Sequence, residues 1–283
     1  MPSRSTARPF HQEENPVLDA RSLIEAPFGS PRPDYPLYGR PDALDLWLNH
    51  RLEPAYASVF FDSLKLRTRD YGLLRTTRLH FALGILDDGT KDIIGVWEEH
   101  CDTLWPIALS QLRTRGVAKI GLAVAEEDAA VRALHAEFPT AQITHSVRHL
   151  VEASVDFLPL AARRPAVTTT LRRIIDAQLA LSPAQLASVI APGETSLVDF
   201  WRENWERLYP TLNLPADVRE LVCTTTAVES IVEKLRRRGL SKRTNYATTK
   251  AAIRELAFAL RDASSSWKVA PRKWAIVRQH LRT

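Results

Sequence analysis

The sequence predicts an α/β fold, an antiparallel hairpin sheet extended by βαβ units, on three observations. Two strand-like stretches flank an Asp-Gly turn. A nearly continuous apolar run of strand length lies between two helical stretches. From about residue 149 onward the apolar spacing is helical. With 283 residues, 45% of them hydrophobic, the chain can bury a sizeable core.

Residues 1–47 carry Pro16, Pro27, Pro31, Pro33, Pro36 and Pro41, which interrupt every candidate period, so an extended leader is expected there. The stretch Tyr56 to Arg67 reads as a strand, with Val59, Phe60, Phe61, Leu64 and Leu66 apolar and Asp62 in its middle. Strands over Thr77 to Ile85 and Ile93 to Trp97 enclose Asp87-Asp88-Gly89-Thr90, whose Asp-Gly step favours a tight hairpin. Leu104 to Arg115 is helical in period, Val117 to Ala125 is a buried strand, Asp128 to Phe138 is helical again, and Gln142 to Val147 is a short strand. The helical region from His149 to about Leu221 is expected to break at Pro165, Pro183 and Pro192-Gly193, with Trp201 and Trp205 on one helical face. A further helix begins near Thr226, stripes Val228, Ile231 and Leu235 along one side, and ends at Gly239. The amphipathic stretch Thr248 to Leu260 precedes Trp267 and Trp274. The organisation predicted is therefore a leader over 1–47, the first part of a sheet domain over 48–150, a helical insertion over 151–221, and closing helices over 222–283.

A net charge of +5 and an isoelectric point near 9.3 suit a polyanionic partner without requiring one. Two cysteines, Cys101 and Cys223, make neither a disulfide framework nor a paired zinc spacing, so a reducing, cytoplasmic setting is expected. Arg4 and Arg8 are followed by no apolar signal region, and no apolar run approaches the roughly 20 residues of a membrane span. Phosphate-binding loops, dinucleotide fingerprints and nucleophile elbows are absent.

Three acidic features can carry chemistry: Asp62 on the first strand, the group Glu126, Glu127 and Asp128 at the end of the apolar strand, and Glu229 on the late helix. Carboxylates gathered from distant segments repel unless cations lie between them. Hard divalent ions accept such oxygens, the arrangement used for phosphoryl transfer. Each feature has a structural counterpart. Asp62 can form an ion pair, Glu126 to Asp128 can be the acidic first turn of a helix, and Thr226-Ala227-Val228-Glu229 is a capping-box pattern. The basic run Lys234, Arg236, Arg237, Arg238, Lys242 and Arg243 lies beside Glu229 and suits either phosphates or a solvated helix end. His145 and His149 can share a helix face, although the lack of a fixed third ligand argues against zinc. Trp201 and Trp205 suit base stacking or, more simply, the core of the insertion.

The stretch Cys223-Thr224-Thr225-Thr226-Ala227-Val228-Glu229-Ser230-Ile231, followed by Leu235-Arg236-Arg237, resembles the signature around the catalytic glutamate of bacterial Mutator-type insertion-sequence transposases. Phe60-Phe61-Asp62-Ser63-Leu64, Gly89-Thr90-Lys91-Asp92-Ile93-Ile94-Gly95-Val96-Trp97 and Trp201-Arg202-Glu203-Asn204-Trp205 agree with that family in order and spacing, over about Trp47 to Gln279. The resemblance implies an RNase H-like mixed sheet with flanking helices, interrupted by an all-α insertion before the last catalytic helix. It implies DNA as substrate, Mg²⁺ or Mn²⁺ as cofactor, a homo-oligomer on DNA, and a cytoplasmic, nucleoid-bound location. Asp62 and Glu229 match the first and last catalytic carboxylates. Glu126 stands where the family has its second aspartate, one methylene longer. In Ser146-Val147-Arg148-His149 the family's histidine is kept and its cysteine replaced, and His149 joins the basic run as an expected DNA contact. The proline-rich leader is short for the family's helical end-recognition region. The expectation is a metal-dependent DNA strand-transfer enzyme with an altered acidic triad. The alternative is a catalytically silent relative that binds DNA or associates with intact transposases.

Overall fold

Strand β1 (Ala55–Asp70) and strand β2 (Leu73–Ile85) form one long antiparallel ribbon, paired from Ser58 with Ile85 to Asp70 with Leu73 and turning at Gly72, whose φ is +82°. Both strands run further than the apolar pattern predicts. Most of the added residues are polar or charged, and the two apolar ones, Leu73 and Leu74, are exposed, so buried alternation ends at Thr68 while backbone pairing continues through the tight turn. Strand β3 (Lys91–Glu98) follows the predicted hairpin turn, where Gly89 has φ +86° and the Thr90 backbone N–H donates to the Asp88 carboxylate at 2.8 Å.

The structure is a computed structural model that describes residues 49–70, 72–99, 103–177, 181–224, 246, 248–264 and 274–281. The 1–47 leader, the helix expected from Thr226 to Gly239, and with it Glu229, Lys234, Arg236, Arg237, Arg238, Lys242 and Arg243, lie outside the described residues. All described residues fall within the unit Pro36–Thr283.

Helix α1 (Leu104–Thr114), strand β4 (Lys119–Ala125), helix α2 (Asp128–Glu137) and strand β5 (Gln142–His145) complete a five-stranded sheet in the order β3-β2-β1-β4-β5. The first three strands are antiparallel; β4 runs parallel to β1, and β5 parallel to β4. This is an RNase H-like mixed sheet with flanking helices. Strand β5 ends two residues earlier than predicted, because Val147 begins helix α3 (Val147–Ser154).

The next helices are α4 (Leu160–Ile175), α5 (Pro183–Ile190), α6 (Thr195–Glu203), α7 (Trp205–Leu212) and α8 (Ala216–Thr224). Helices α9 (Thr249–Ser264) and α10 (Trp274–Leu281) close the described chain. The break expected at Pro165 is absent. Pro165 lies in the second turn of α4, where the chain loses only one backbone donor, and the first turn is tightened by Ala162 donating to the Pro159 carbonyl. Pro183 does open a helix, capped by a reciprocal Ser182 and Gln185 box. Trp201 and Trp205 fall on two helices rather than one face, separated at Asn204. Trp201 is fully buried and Trp205 packs partly buried against the same cluster, so the pair is core.

Two apolar layers sandwich the sheet. One gathers Val59, Phe61, Ile120 and Ala123 with α1 and α2. The other gathers Phe60, Leu64, Leu122 and Val124 with α3 and the later helices. Among the described residues no helix is long and apolar enough to cross a membrane.

Candidate active site

The site follows from strand register. Strands β1 and β4 pair in parallel from Ala55 with Lys119 to Phe60 with Val124. Carried two residues further, the same register sets Asp62 beside Glu126, just past the carboxyl end of β4. Side chains alternate along a strand, so Asp62 shares the face of Phe60 and Leu64, and Glu126 that of Leu122 and Val124. Both carboxylates therefore emerge on the side of α3, whose third residue is His149.

His149 lies between them. Its Nε2 is 3.7 Å from Asp62 Oδ1 and 3.8 Å from Glu126 Oε2, while its Nδ1 is 2.8 Å from Ser146 Oγ. One ligand atom from each of the three residues lies within 4.8 Å of the others. In the tautomer that donates Nδ1–H to Ser146, Nε2 carries the lone pair that a cation would take up. Separations of 3.7 and 3.8 Å are too long for hydrogen bonds. An octahedral shell with ligand bonds of about 2.1 Å has edges of about 3.0 Å, so the groups would close by about 0.7–0.8 Å around one ion. The donor set is two oxygens and one imidazole nitrogen, and it fits a divalent cation.

Asp62 is the buried member, with its side chain 16% exposed against 36% for Glu126. Burial pushes its carboxyl above the ordinary aspartate range. The charges of Glu126 and Glu152 add to that push, while His149 and the 2.6 Å hydrogen bond from the Ser63 backbone N–H oppose it.

The three consecutive acids separate completely. Glu127 accepts Arg78 Nη1 at 3.0 Å on one oxygen and Trp105 Nε1 at 2.8 Å on the other. Asp128 is bonded to His145 Nε2 at 2.8 Å and to the Arg207 guanidinium of α7. Burial raises the Asp128 pKa, but the hydrogen bonds and charges of His145 and Arg207 outweigh it and hold the carboxyl below its usual range. His145 is thereby committed to Asp128 and does not join His149. A second acidic group, His80, Glu99 and Glu127, also brings ligand atoms within 4.8 Å. Arg78 already neutralises it, pairing with Glu127 and lying 3.6 Å from Glu99, so it does not call for a cation. Cys223 is buried and its thiol is pushed up to about 12 by burial, which leaves it inert.

Sequence reasoning brought Asp62 and Glu126 forward with Glu229 as an acidic triad and placed His149 among the DNA contacts. The structure sets His149 Nε2 between the two carboxylates. The signal available for this was the position of His149 in the first turn of a helix that follows β5 directly.

The family described as "Transposase, Mutator family" matches residues 41–270. The chain is 32% identical over 240 residues to a protein of Sinorhizobium fredii (strain NBRC 101917 / NGR234) named a probable transposase for insertion sequence element ISRM3-like, covering 82% of this chain and 60% of that one. It is equally similar, at 32% over 240 residues with the same coverage, to the transposase for insertion sequence element ISRM3 of Rhizobium meliloti (strain 1021). A probable insertion-sequence transposase of Corynebacterium diphtheriae is 26% identical over 219 residues, covering 75% of this chain and 63% of its own length. The chain thus spans about 60% of the length of the curated relatives it matches best among these. The match across most of the chain, carried on this sheet, places it in the Mutator family of transposases.

Proposed function

We propose that this chain acts in DNA transposition as a metal-dependent polynucleotidyl transferase centred on Asp62, Glu126 and His149. The observation that carries the reading is the register of β1 and β4, which sets two carboxylates side by side on one face with an imidazole nitrogen 3.7 and 3.8 Å away. Asp62, Glu126 and His149 would hold Mg²⁺ or Mn²⁺, and Glu229, by its match to the family's glutamate, would complete the set. The imidazole favours Mn²⁺ over Mg²⁺ compared with an all-oxygen site. A bound ion supplies polarisation of the phosphodiester and charge stabilisation at the attacking and leaving oxygens.

The chain's own residues contribute placement. Ser146 holds the His149 ring so that Nε2 faces the carboxylates. The Ser63 N–H donates to Asp62 Oδ1, the same oxygen that lies 3.7 Å from His149 Nε2, and so fixes its position at the centre. Burial of Asp62 keeps this part of the site drier than the surface, which strengthens electrostatic contacts within it. The reaction proposed is hydrolysis at a transposon end, water attacking phosphorus to release a 3′-hydroxyl. That hydroxyl then attacks a target phosphodiester and displaces its 3′-oxygen.

The test is single-turnover nicking of a plasmid carrying matched terminal sequences, in Mn²⁺ and in Mg²⁺. Cleavage that Asp62→Ala abolishes is expected. Glu126 in the aspartate position favours a second reading, a DNA-binding relative without turnover. Salt-sensitive DNA binding with no cleavage in either metal selects it and overturns the first.

A further inference from the structure

Beyond residue 61 the β1–β2 ribbon has two unlike faces. Leu64, Leu66 and Thr68 are buried on one, whereas Lys65, Arg67 and Arg69 are exposed on the other. Among the described residues none of these three cations has an ion-pair partner. Lys65 stands directly across from Arg78, and Arg67 across from Thr76. Like charges in cross-strand register oppose pairing, and Arg78 is the one with acidic partners, Glu99 and Glu127.

These charges are not needed to protect a sheet edge. The outer edge of β1 is already met there by Tyr246, with the Arg69 N–H donating to the Tyr246 carbonyl at 2.7 Å and the Tyr246 N–H to the Arg67 carbonyl at 3.3 Å. The cations lie on the face, where they leave the charge of the ribbon uncompensated.

We infer that this face of the β1–β2 ribbon binds the phosphodiester backbone of DNA through Lys65, Arg67 and Arg69, an interaction surface that rests on the DNA-acting reading above. Alternate residues advance about 6.7 Å along a strand, so the three cations span about 13 Å. At about 3.4 Å of axial rise per phosphate on one strand, that length passes about four phosphates, enough for each cation to meet its own. Lys65 is three residues from Asp62 on the same strand, about 10 Å along it. Being an odd number of residues from Asp62, Lys65 lies on the opposite face of the strand, so the stripe is a contact surface separate from the candidate active site. Contacts of this kind to phosphates position the duplex and carry no sequence information directly.

The test measures binding of a fluorescent DNA duplex by anisotropy in EDTA between 50 and 200 mM salt, which keeps it separate from cleavage. Each phosphate contact contributes about 0.9 to the slope of log affinity against log salt. The triple variant Lys65→Gln, Arg67→Gln, Arg69→Gln is expected to lower the slope by about 2.7. The wild type should accordingly lose about 40-fold more affinity than the variant across that salt range. A control with the same change in net charge, Arg164→Gln, Arg172→Gln, Arg173→Gln on exposed positions of α4, is expected to keep the wild-type slope. An unchanged slope in the ribbon variant, or an equal loss in the control, overturns the inference. Salt-insensitive wild-type binding overturns it as well. Loss of the ribbon effect with cleavage intact would leave the proposed function standing, whereas absent cleavage with the slope change present would do the reverse.

Discussion

Asp62→Asn is expected to stabilise the metal-free protein and to remove its stabilisation by metal. In the wild type two carboxylates bring ligand atoms within 4.8 Å. At that separation two unit charges repel by roughly 3 kcal/mol at an effective dielectric of 20 and by roughly 1 kcal/mol in water. Glu126 is 36% exposed, so the lower half of that range applies, about 1–2 kcal/mol. For a chain of this size that corresponds to a rise in Tm of roughly 2–8 °C in EDTA. Asparagine keeps an oxygen to accept the Ser63 N–H, so the variant loses the charge and not the local hydrogen bond. Because burial raises the Asp62 pKa, the folded protein binds this proton more tightly than the unfolded chain. Its contribution is most favourable below the unfolded value near pH 4 and is lost as pH climbs through the folded value. The gap between variant and wild type is therefore small at pH 4 and grows as pH rises toward 8. With Mn²⁺ at a hundred times its Kd the wild type gains about 2.7 kcal/mol, and the variant gains little. Differential scanning fluorimetry from pH 4 to 8, in EDTA and in Mn²⁺, measures both effects. A variant less stable than wild type at pH 8 in EDTA would mean that Asp62 serves the fold as an ion pair, and the reasoning would fail.

Two further outcomes follow from the neighbouring acids. Glu126→Asp draws the carboxylate back toward β4 by one bond, about 1.5 Å, and a displacement of about 1 Å costs roughly a hundredfold in rate. Single-turnover nicking is expected to fall by that order, and a faster variant would show the extra methylene to be a defect. Asp128→Asn is expected to lower stability at pH 7 by about 0.5–1 kcal/mol, since the ion group is partly solvated, and to shift Tm by roughly 1–4 °C. The depressed Asp128 pKa makes this contribution present above the unfolded value near 4 and lost as pH falls through the folded value, so the difference between the melts should shrink as pH falls below about 4. Metal affinity by calorimetry should not change; a loss would bring Asp128 into the centre.

The sheet was legible because its strands carry their own signals. Val59 to Leu66 pattern as a strand, Asp88-Gly89 marks a turn, and Ile120 to Ala125 is too short and too apolar for anything but a buried strand between helices. The outer ribbon was not, since Thr68 to Thr76 shows no apolar alternation, its Leu73 and Leu74 being adjacent, and its pairing depends on the turn at Gly72. Pro165 misled because a proline's cost depends on how far into a helix it falls. At the site, Asp62 and Glu126 could be named singly, but their adjacency is a property of register between strands far apart in sequence. The separate fates of Glu127 and Asp128 depend on Arg78, Trp105 and Arg207, which no local period relates to them. His149 is placed among the DNA contacts by its match to the family's retained histidine, whereas its position is set by where β5 gives way to α3.

The parting of Glu126, Glu127 and Asp128 also constrains how this junction can evolve. Glu127 is tied to the sheet through Arg78, and Asp128 to β5 and α7 through His145 and Arg207. Adding or deleting one residue between 125 and 129 would send each acid to its neighbour's destination and break both anchors at once. Backbone length there is frozen, and the reach of the side chain at 126 is the variable left open. Length changes are better absorbed at the 139–141 turn after α2, where a single backbone hydrogen bond from Ala141 to Phe138 closes the bend. A lineage that needed to retune the distance between the carboxylates would thus exchange aspartate for glutamate sooner than it would move the strand.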